Sequence, residues 1–302
     1  MTRRAWIAEL LGKDGLERLA AELSGAQLNS VLLEVMRSRA AARSCTEVLR
    51  QYERDDLVRP AAVDPRAAVA IDAALFAAAQ EFQAIELAPV APLGTCATMA
   101  PTDQNRVLTA LRTSEVVADP TNVLALECAR CLRAHPHSPV HLATSQRVVR
   151  AQPVPKLPGY ARHFRIFVLA SGGREQQDHA FTVDALALHV QTLWSALDRL
   201  ESLGYAFGKR RVEVLATPER AEIGDRIVRR LGARAVRKPL GHAYYSGGLR
   251  YSLWVTAADG EEIPLADGGA FDWLAKLTAN RRAVYVASGL GAQLIALRFR
   301  SA

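Results

Sequence analysis

The chain has 302 residues, 50% of them hydrophobic, with 38 Lys and Arg against 31 Asp and Glu, a net charge of +7 and a pI near 9.5. That length and apolar content exclude a disordered tail and require a sizeable core. The positive charge is dispersed, with no long Lys/Arg run and no basic stripe interleaved with aromatics. This argues against a nucleic-acid platform and leaves an anionic small molecule or a protein as the charge-compatible partner.

Cys45, Cys96, Cys128 and Cys131 are too few for a disulfide framework in a chain of this size. No apolar run reaches transmembrane length, and the charges within MTRRAWIAELLGKDGLERL interrupt the apolar core that a signal peptide needs. A soluble, cytoplasmic protein without a membrane partner is expected.

In chain order, residues 1–58 read as a helical region. Ser24 and Gln27 fit a capping box, and Leu28, Val31, Leu32, Val35 and Met36 recur at helical spacing as a face for packing on the rest of the chain. RPAAVDP, ending at Pro65, breaks the pattern as a linker. An alanine-rich helix over about residues 66–80 then leads into a short strand carrying Phe82, Ile85 and Leu87, which Pro89 and Pro92 end or confine to an edge. Asp119 is positioned as an N-cap, with Pro120 at the first helical position. The helix it opens holds Cys128 and Cys131, whose spacing would suit zinc; without a second ligand pair at the required spacing they read as two core-facing thiols, and no metal site is expected.

VHLATSQRVVRAQ and RHFRIFVLAS, residues 140–152 and 162–171, read as two apolar strand patterns joined by a loop with Pro153, Pro155, Pro158 and Gly159. Arg150 near the end of one arm and Arg162 at the start of the other aim two guanidinium forks at one region, a geometry suited to phosphate oxygens. FTVDALALHVQTLWSALDRLESLGY is the strongest helix, with Val183, Leu186, Val190, Leu193, Leu197 and Leu200 on one face and Gly204 as its stop. A small α/β unit follows at about 206–238. The remainder reads as a strand after YYSG, Gly268 and Gly269 between a strand and a helix, and a last strand and helix joined through Gly289 and Gly291.

The order of a proline-ended strand, arginine hairpin, small insertion, YYSG, GG-x-x-D and GLG before a last helix resembles a class II aminoacyl-tRNA synthetase catalytic core, most closely the histidyl branch, over roughly residues 60–300. The resemblance implies an α+β fold, an antiparallel sheet flanked by helices, in a core spanning 59–302 and including the small insertion. It also implies a homodimer through the Pro89 region and ATP with magnesium as ligand. In that family the hairpin arginines hold the α- and γ-phosphates and a phenylalanine stacks on adenine. Arg150, Gln152, Arg162 and Phe164 fall at the nucleotide positions, Gln152 standing where a glutamate is expected. Asp119, Thr121 and Asn122 correspond to a substrate-contacting loop, their alternative role being helix capping. Tyr244, Tyr245, Gly268, Gly269 and Asp272 correspond to further pocket positions.

The departures point away from ordinary aminoacylation. Leu240 and Ala243 occupy the places of a catalytic arginine and an acid, while Gln293 and Leu294 stand where an arginine should clamp the γ-phosphate. Ile166 and Ala170 replace the polar residues of a histidine pocket. The sequence does not extend from the third motif into an anticodon-binding domain, so tRNA is not an expected partner. The expectation is a degenerate paralogue acting as a ligand-binding or regulatory homodimer for an amino acid or nucleotide, with a protein partner. The alternative is an ATP-dependent ligase that forms an acyl-adenylate for a non-tRNA acceptor, with Glu175, Asp178 or Asp267 as acids for metal-bound ATP. No catalytic residue is assigned.

Overall fold

The two arms of the arginine hairpin are long strands whose middle residues are buried in continuous runs, as expected for sheet strands covered on both faces. The computed structural model describes residues 2–12, 14–100, 102–154, 160–241 and 244–300. The loop positions Pro155, Pro158 and Gly159, and Ala243, lie outside the described residues.

The helical region comprises α1 (Arg3–Leu11), α2 (Gly15–Glu17, continued as a π turn), α3 (Gly25–Ala41) and α4 (Cys45–Arg54). The Ser24/Gln27 capping box forms in both directions. The apolar face of α3 does not pack as expected: none of its residues is buried, and Val31, Val35 and Met36 are exposed. This helix stands off the sheet, touching the rest of the chain through Asn29 Oδ1, which accepts from Arg112 N at 3.0 Å.

The core begins with α5 (Pro65–Ala78), which is started by Asp64 and Pro65, and then β1 (Gln83–Ala84) and β2 (Val90–Pro92). It continues through α6 (Thr95–Met99), β3 (Thr109–Ala110), β4 (Ser114–Val116), α7 (Pro120–Ala134), β5 (Val140–Val149), β6 (His163–Arg174) and α8 (Ala180–Glu201). Last come β7 (Arg210–Ala216), α9 (Ala221–Leu231), β8 (Ala235–Pro239), β9 (Leu249–Thr256), β10 (Glu262–Phe271), α10 (Trp273–Thr278), β11 (Ala283–Leu290) and α11 (Ala292–Arg298).

Among the described residues the strands form an eight-stranded sheet in the order β1-β5-β6-β11-β10-β9-β7-β8 and a small β2-β4-β3 sheet. The inner pairings are antiparallel, and only the outermost pairs, β1 with β5 and β7 with β8, are parallel. The β7-α9-β8 unit is therefore an extension of the main sheet. Gly268 and Gly269 lie within β10, not between a strand and a helix as expected. Their lack of a side chain serves close approach: a Cβ on Gly268 would sit 2.2 Å from Ser288 Oγ, and one on Gly269 2.3 Å from Leu249 O.

Side chains of β6 separate by parity. Phe167 and Leu169 join the large cluster made with α5 and α8, which contains Leu193, Leu197 and Leu200. Val168 and Ala170 join a second cluster with α7, containing Leu124, Cys128 and Leu132. Cys128 is thus a core thiol, whereas Cys131 is half-buried and directs its thiol to Glu127. On the α8 face, His141 Nδ1, Ser171 Oγ, His189 and Ser288 Oγ form a continuous hydrogen-bonded row, with contacts of 2.7, 2.8 and 2.8 Å. Burial lowers the His189 pKa to about 3 and keeps its imidazole neutral.

Candidate functional site

The α7 face of the sheet carries a cavity of about 590 Å³, whose lining includes Arg106, Asp119, Asn122, Arg150, Arg250 and Asp267. Its first wall is the start of α7. Asp119 caps that helix by accepting from Thr121 N at 3.0 Å and Thr121 Oγ1 at 2.7 Å, and it also accepts from Tyr244 OH at 3.3 Å. Capping and lining are therefore compatible roles for one residue. Tyr285 OH donates to Thr121 O at 2.6 Å and fixes the turn from below. Asn122 is buried, and its Oδ1 has no hydrogen-bond donor.

Arg150 enters just past the end of β5. Its Nε donates to Ala118 O at 3.3 Å and its guanidinium lies 5.0 Å from the Phe164 ring centroid. Arg147 belongs to the other face, where Nη1 reaches His163 Nδ1 at 3.0 Å and Gln293 Oε1 at 3.4 Å. The spacing of three residues across the end of an alternating strand separates these two arginines.

A third wall comes from β9 and β10. Asp267 Oδ2 accepts from Tyr245 OH and from Arg250 Nη2, the latter at 3.2 Å. The Arg250 guanidinium lies 5.2 Å from the Tyr245 centroid. Arg250 Nε is buried without an acceptor. Burial first, and then the Asp267 charge, push the Tyr245 phenol far above its ordinary range, so it serves as a donor and not as a base.

The rim containing Cys96 and Arg106 is organised by Glu115 of β4. Its carboxylate accepts from Gly94 N at 2.8 Å, Cys96 N at 3.0 Å and Gln104 Nε2 at 2.9 Å. Burial raises the Glu115 pKa, but these hydrogen bonds outweigh it and leave it lowered. Burial pushes the Cys96 thiol up to about 11, which disfavours a thiolate nucleophile.

Of the residues singled out from sequence, Arg150, Gln152, Asp119, Thr121, Asn122, Tyr244, Tyr245 and Gly268 line the cavity together. Arg162 and Phe164 do not. Arg162 donates to Ala151 O and faces Asp55 at 4.0 Å, while the Phe164 ring packs beneath Arg150. Gly269 packs against Tyr245, and Asp272 is engaged by Ser246 Oγ at 2.7 Å and Lys276 Nζ at 2.8 Å, outside the cavity lining. Ile166 is on the cavity wall and Ala170 is buried in the core. Leu240, Gln293 and Leu294 do not line the cavity. Of the three acids considered for a metal, Asp267 lines it, whereas Glu175 accepts from Thr182 at the start of α8. No cluster of His, Cys, Asp and Glu able to hold a metal ion occurs among the described residues. Arg106 and Arg250 were not singled out from sequence. The alternation of LRYSLWVT would have put Arg250 on one face of β9, but not said which.

No protein-family model matches the sequence, and no curated protein matches it. Solved structures do match in fold. An ATP phosphoribosyltransferase regulatory subunit/histidyl-tRNA synthetase from Bacillus halodurans C superposes with a TM-score of 0.57 at 13% identity, over 79% of this chain and 82% of that one. The histidine–tRNA ligase subunit from Alicyclobacillus acidocaldarius gives 0.58 at 11%, over 78% and 95%. Apo histidyl-tRNA synthetase from S. aureus gives 0.53 at 14%, over 76% of this chain and 64% of that one. The chain has the class II synthetase core fold, with histidyl-tRNA synthetases and a regulatory-subunit relative among its structural neighbours.

Proposed function

We propose that this chain is a regulatory paralogue of the class II synthetase type, which binds a small amino acid or nucleotide in the α7-face cavity and does not charge tRNA. The observation that carries the reading is the division of the inherited motifs. The cavity keeps Arg150, Asp119, Asn122 and the tyrosine pair, while Leu240, at the position of the expected catalytic arginine, and Gln293 and Leu294, at that of the expected γ-phosphate clamp, do not line it. A pocket with ligand-binding polar groups but without the second arginine clamp binds better than it stabilises a phosphoryl transition state. The kinship in fold with a protein described as a regulatory subunit supports the same reading.

Arg150 and Gln152 fit the phosphate end of ATP. Phe164 fits the base less well, because the Arg150 guanidinium lies over its ring. Magnesium brought with ATP would meet Asp267 through the carboxylate oxygen not engaged by Tyr245 and Arg250, and would supply charge neutralisation at the phosphates. That acid in the lining is the observation favouring the second reading, an ATP-dependent enzyme that activates a carboxylate for a non-tRNA acceptor. The working unit in both readings is a homodimer through the region of Pro89, where Val90 and Leu93 are exposed.

Calorimetric titration with MgATP and with the amino acids, followed by amino-acid-dependent pyrophosphate exchange, tests the proposal. Binding without exchange is the expected result. Exchange with any amino acid overturns it in favour of the activating enzyme, and the absence of binding by all of these ligands overturns both.

A further inference from the structure

The two ends of the cavity differ in what hydrogen-bonding capacity they leave unmet. On the β9–β10 wall, Asp267 Oδ2 is already used twice, by Tyr245 OH and by Arg250 Nη2. Arg250 carries five N–H donors, and Nε has no acceptor among the described residues. What this wall lacks is an acceptor. Three arginines, Arg106, Arg150 and Arg250, face two aspartates, Asp119 and Asp267, in the lining, so an anionic acceptor is favoured over a neutral one.

At the start of α7 the balance is reversed. Asn122 Oδ1 is buried with no donor among the described residues, although the Asn122 amide also meets the Cys96 thiol, and it lines the cavity together with Asp119. That wall lacks a donor, and an ammonium group supplies several. Between the walls the sheet contributes Gly268, Ala287 and Gly289, which leave room for a short carbon chain.

We infer that the cavity selects an amino acid with an acidic side chain, and that Arg250, positioned by Asp267 and Tyr245, reads the side-chain carboxylate. The inference rests on the cavity being an amino-acid site, as proposed above. It assigns a charged specificity residue to a strand whose sequence offered no motif. Arg250 is suited to the task because its guanidinium is held by an ion pair on one side and an aromatic face on the other, so little of its rotamer freedom remains to be lost on binding.

The test is calorimetry on the full chain with L-glutamate and L-aspartate against their amides L-glutamine and L-asparagine, with L-histidine as a further comparison. Acid and amide have nearly the same shape, so their ratio isolates the charge. At least one acid is expected to bind about tenfold or more tightly than its amide, the difference between a charge-assisted and a neutral hydrogen bond. Arg250→Gln is expected to abolish that ratio with little change in amide binding. Asp267→Asn, which keeps an acceptor for Tyr245 but removes the competing charge, is expected to tighten the acid several-fold. An amide or histidine bound as tightly as the acids, or a ratio that survives Arg250→Gln, overturns the inference and leaves the amino-acid site standing. If no amino acid binds but MgATP does, the amino-acid reading fails and takes this inference with it; the nucleotide form of the proposal remains. Because the acid-to-amide ratio is read on the unmodified protein, it stands even if a variant fails to fold.

Discussion

Replacing Arg150 and Arg147 separately by alanine separates the two faces of one strand. Among the described residues the Arg150 side chain donates from Nε to Ala118 O at 3.3 Å and lies over the Phe164 ring. Losing both costs roughly 1–2 kcal/mol of stability. The rest of its fork is directed to the cavity, where a phosphate accepting one or two charged hydrogen bonds would lose about 2–3 kcal/mol, or roughly 30–150-fold in Kd for MgATP. Arg147 contacts His163 and Gln293 on the far face and touches no lining atom, so Arg147→Ala should leave Kd within about threefold while lowering stability by a similar 1–2 kcal/mol. Calorimetry with MgATP, paired with urea unfolding of both variants, gives the two quantities separately. Equal losses of affinity in the two variants would refute the assignment of faces, and with it the placement of Arg150 as the ligand cation.

Three other perturbations follow from the packing. Gly268→Ala places a Cβ 2.2 Å from Ser288 Oγ and 2.7 Å from Ala287 O, so thermal unfolding should show a loss of about 1–3 kcal/mol; a stability unchanged from the parent would contradict the close strand approach. The depressed His189 pKa has a definite sign: below the ordinary histidine value near 6.5 the unfolded chain takes up a proton that the folded chain refuses until about pH 3, so stability falls as pH falls through that window. The loss should reach roughly 2 kcal/mol by pH 5 in urea titrations, and His189→Gln should flatten this dependence; an identical slope in that variant would assign the effect to other groups. Deleting residues 1–54 should change the unfolding midpoint of the remainder little, since neither α3 nor α4 buries a residue; a large drop would show that the helical region supports the core.

The hairpin was legible because its two arms are long apolar strand patterns and its connection is marked by prolines, signals that are local. The capping box at Ser24 and the proline start of α7 were legible for the same reason, whereas Pro65, read as the end of a linker, is the first residue of α5. The apolar stripe on α3 misled, since helical periodicity reports an apolar face and not what covers it. Glu115 was invisible because its three partners lie between 11 and 21 residues away and become a rim only when β4 pairs with β2. Arg250 was missed for a larger version of this reason. It is brought to the same cavity as Arg150 only by the order β5-β6-β11-β10-β9, a long-range fact that no spacing encodes.

That same order changes how the lost arginines are read. Leu240 and Leu294 stand where the resemblance leads one to expect arginines, so motif comparison alone describes a weakened site. The cavity, however, still presents three arginines, two of them from positions outside the motifs, and the new one on β9 comes with its own ion pair and aromatic support. A guanidinium whose Nε has no acceptor costs free energy on folding and adds nothing to the core. Arg162 and Arg165 carry the same unmet Nε outside the cavity lining, so it is the convergence of Arg250 with Arg106 and Arg150 in one lining, and not the orphan donor by itself, that favours a binding role. Two of the three arginines in the cavity lining, Arg106 and Arg250, thus lie outside the motif positions, where they can meet an anionic ligand, and this placement is the physical basis of the proposed recognition role.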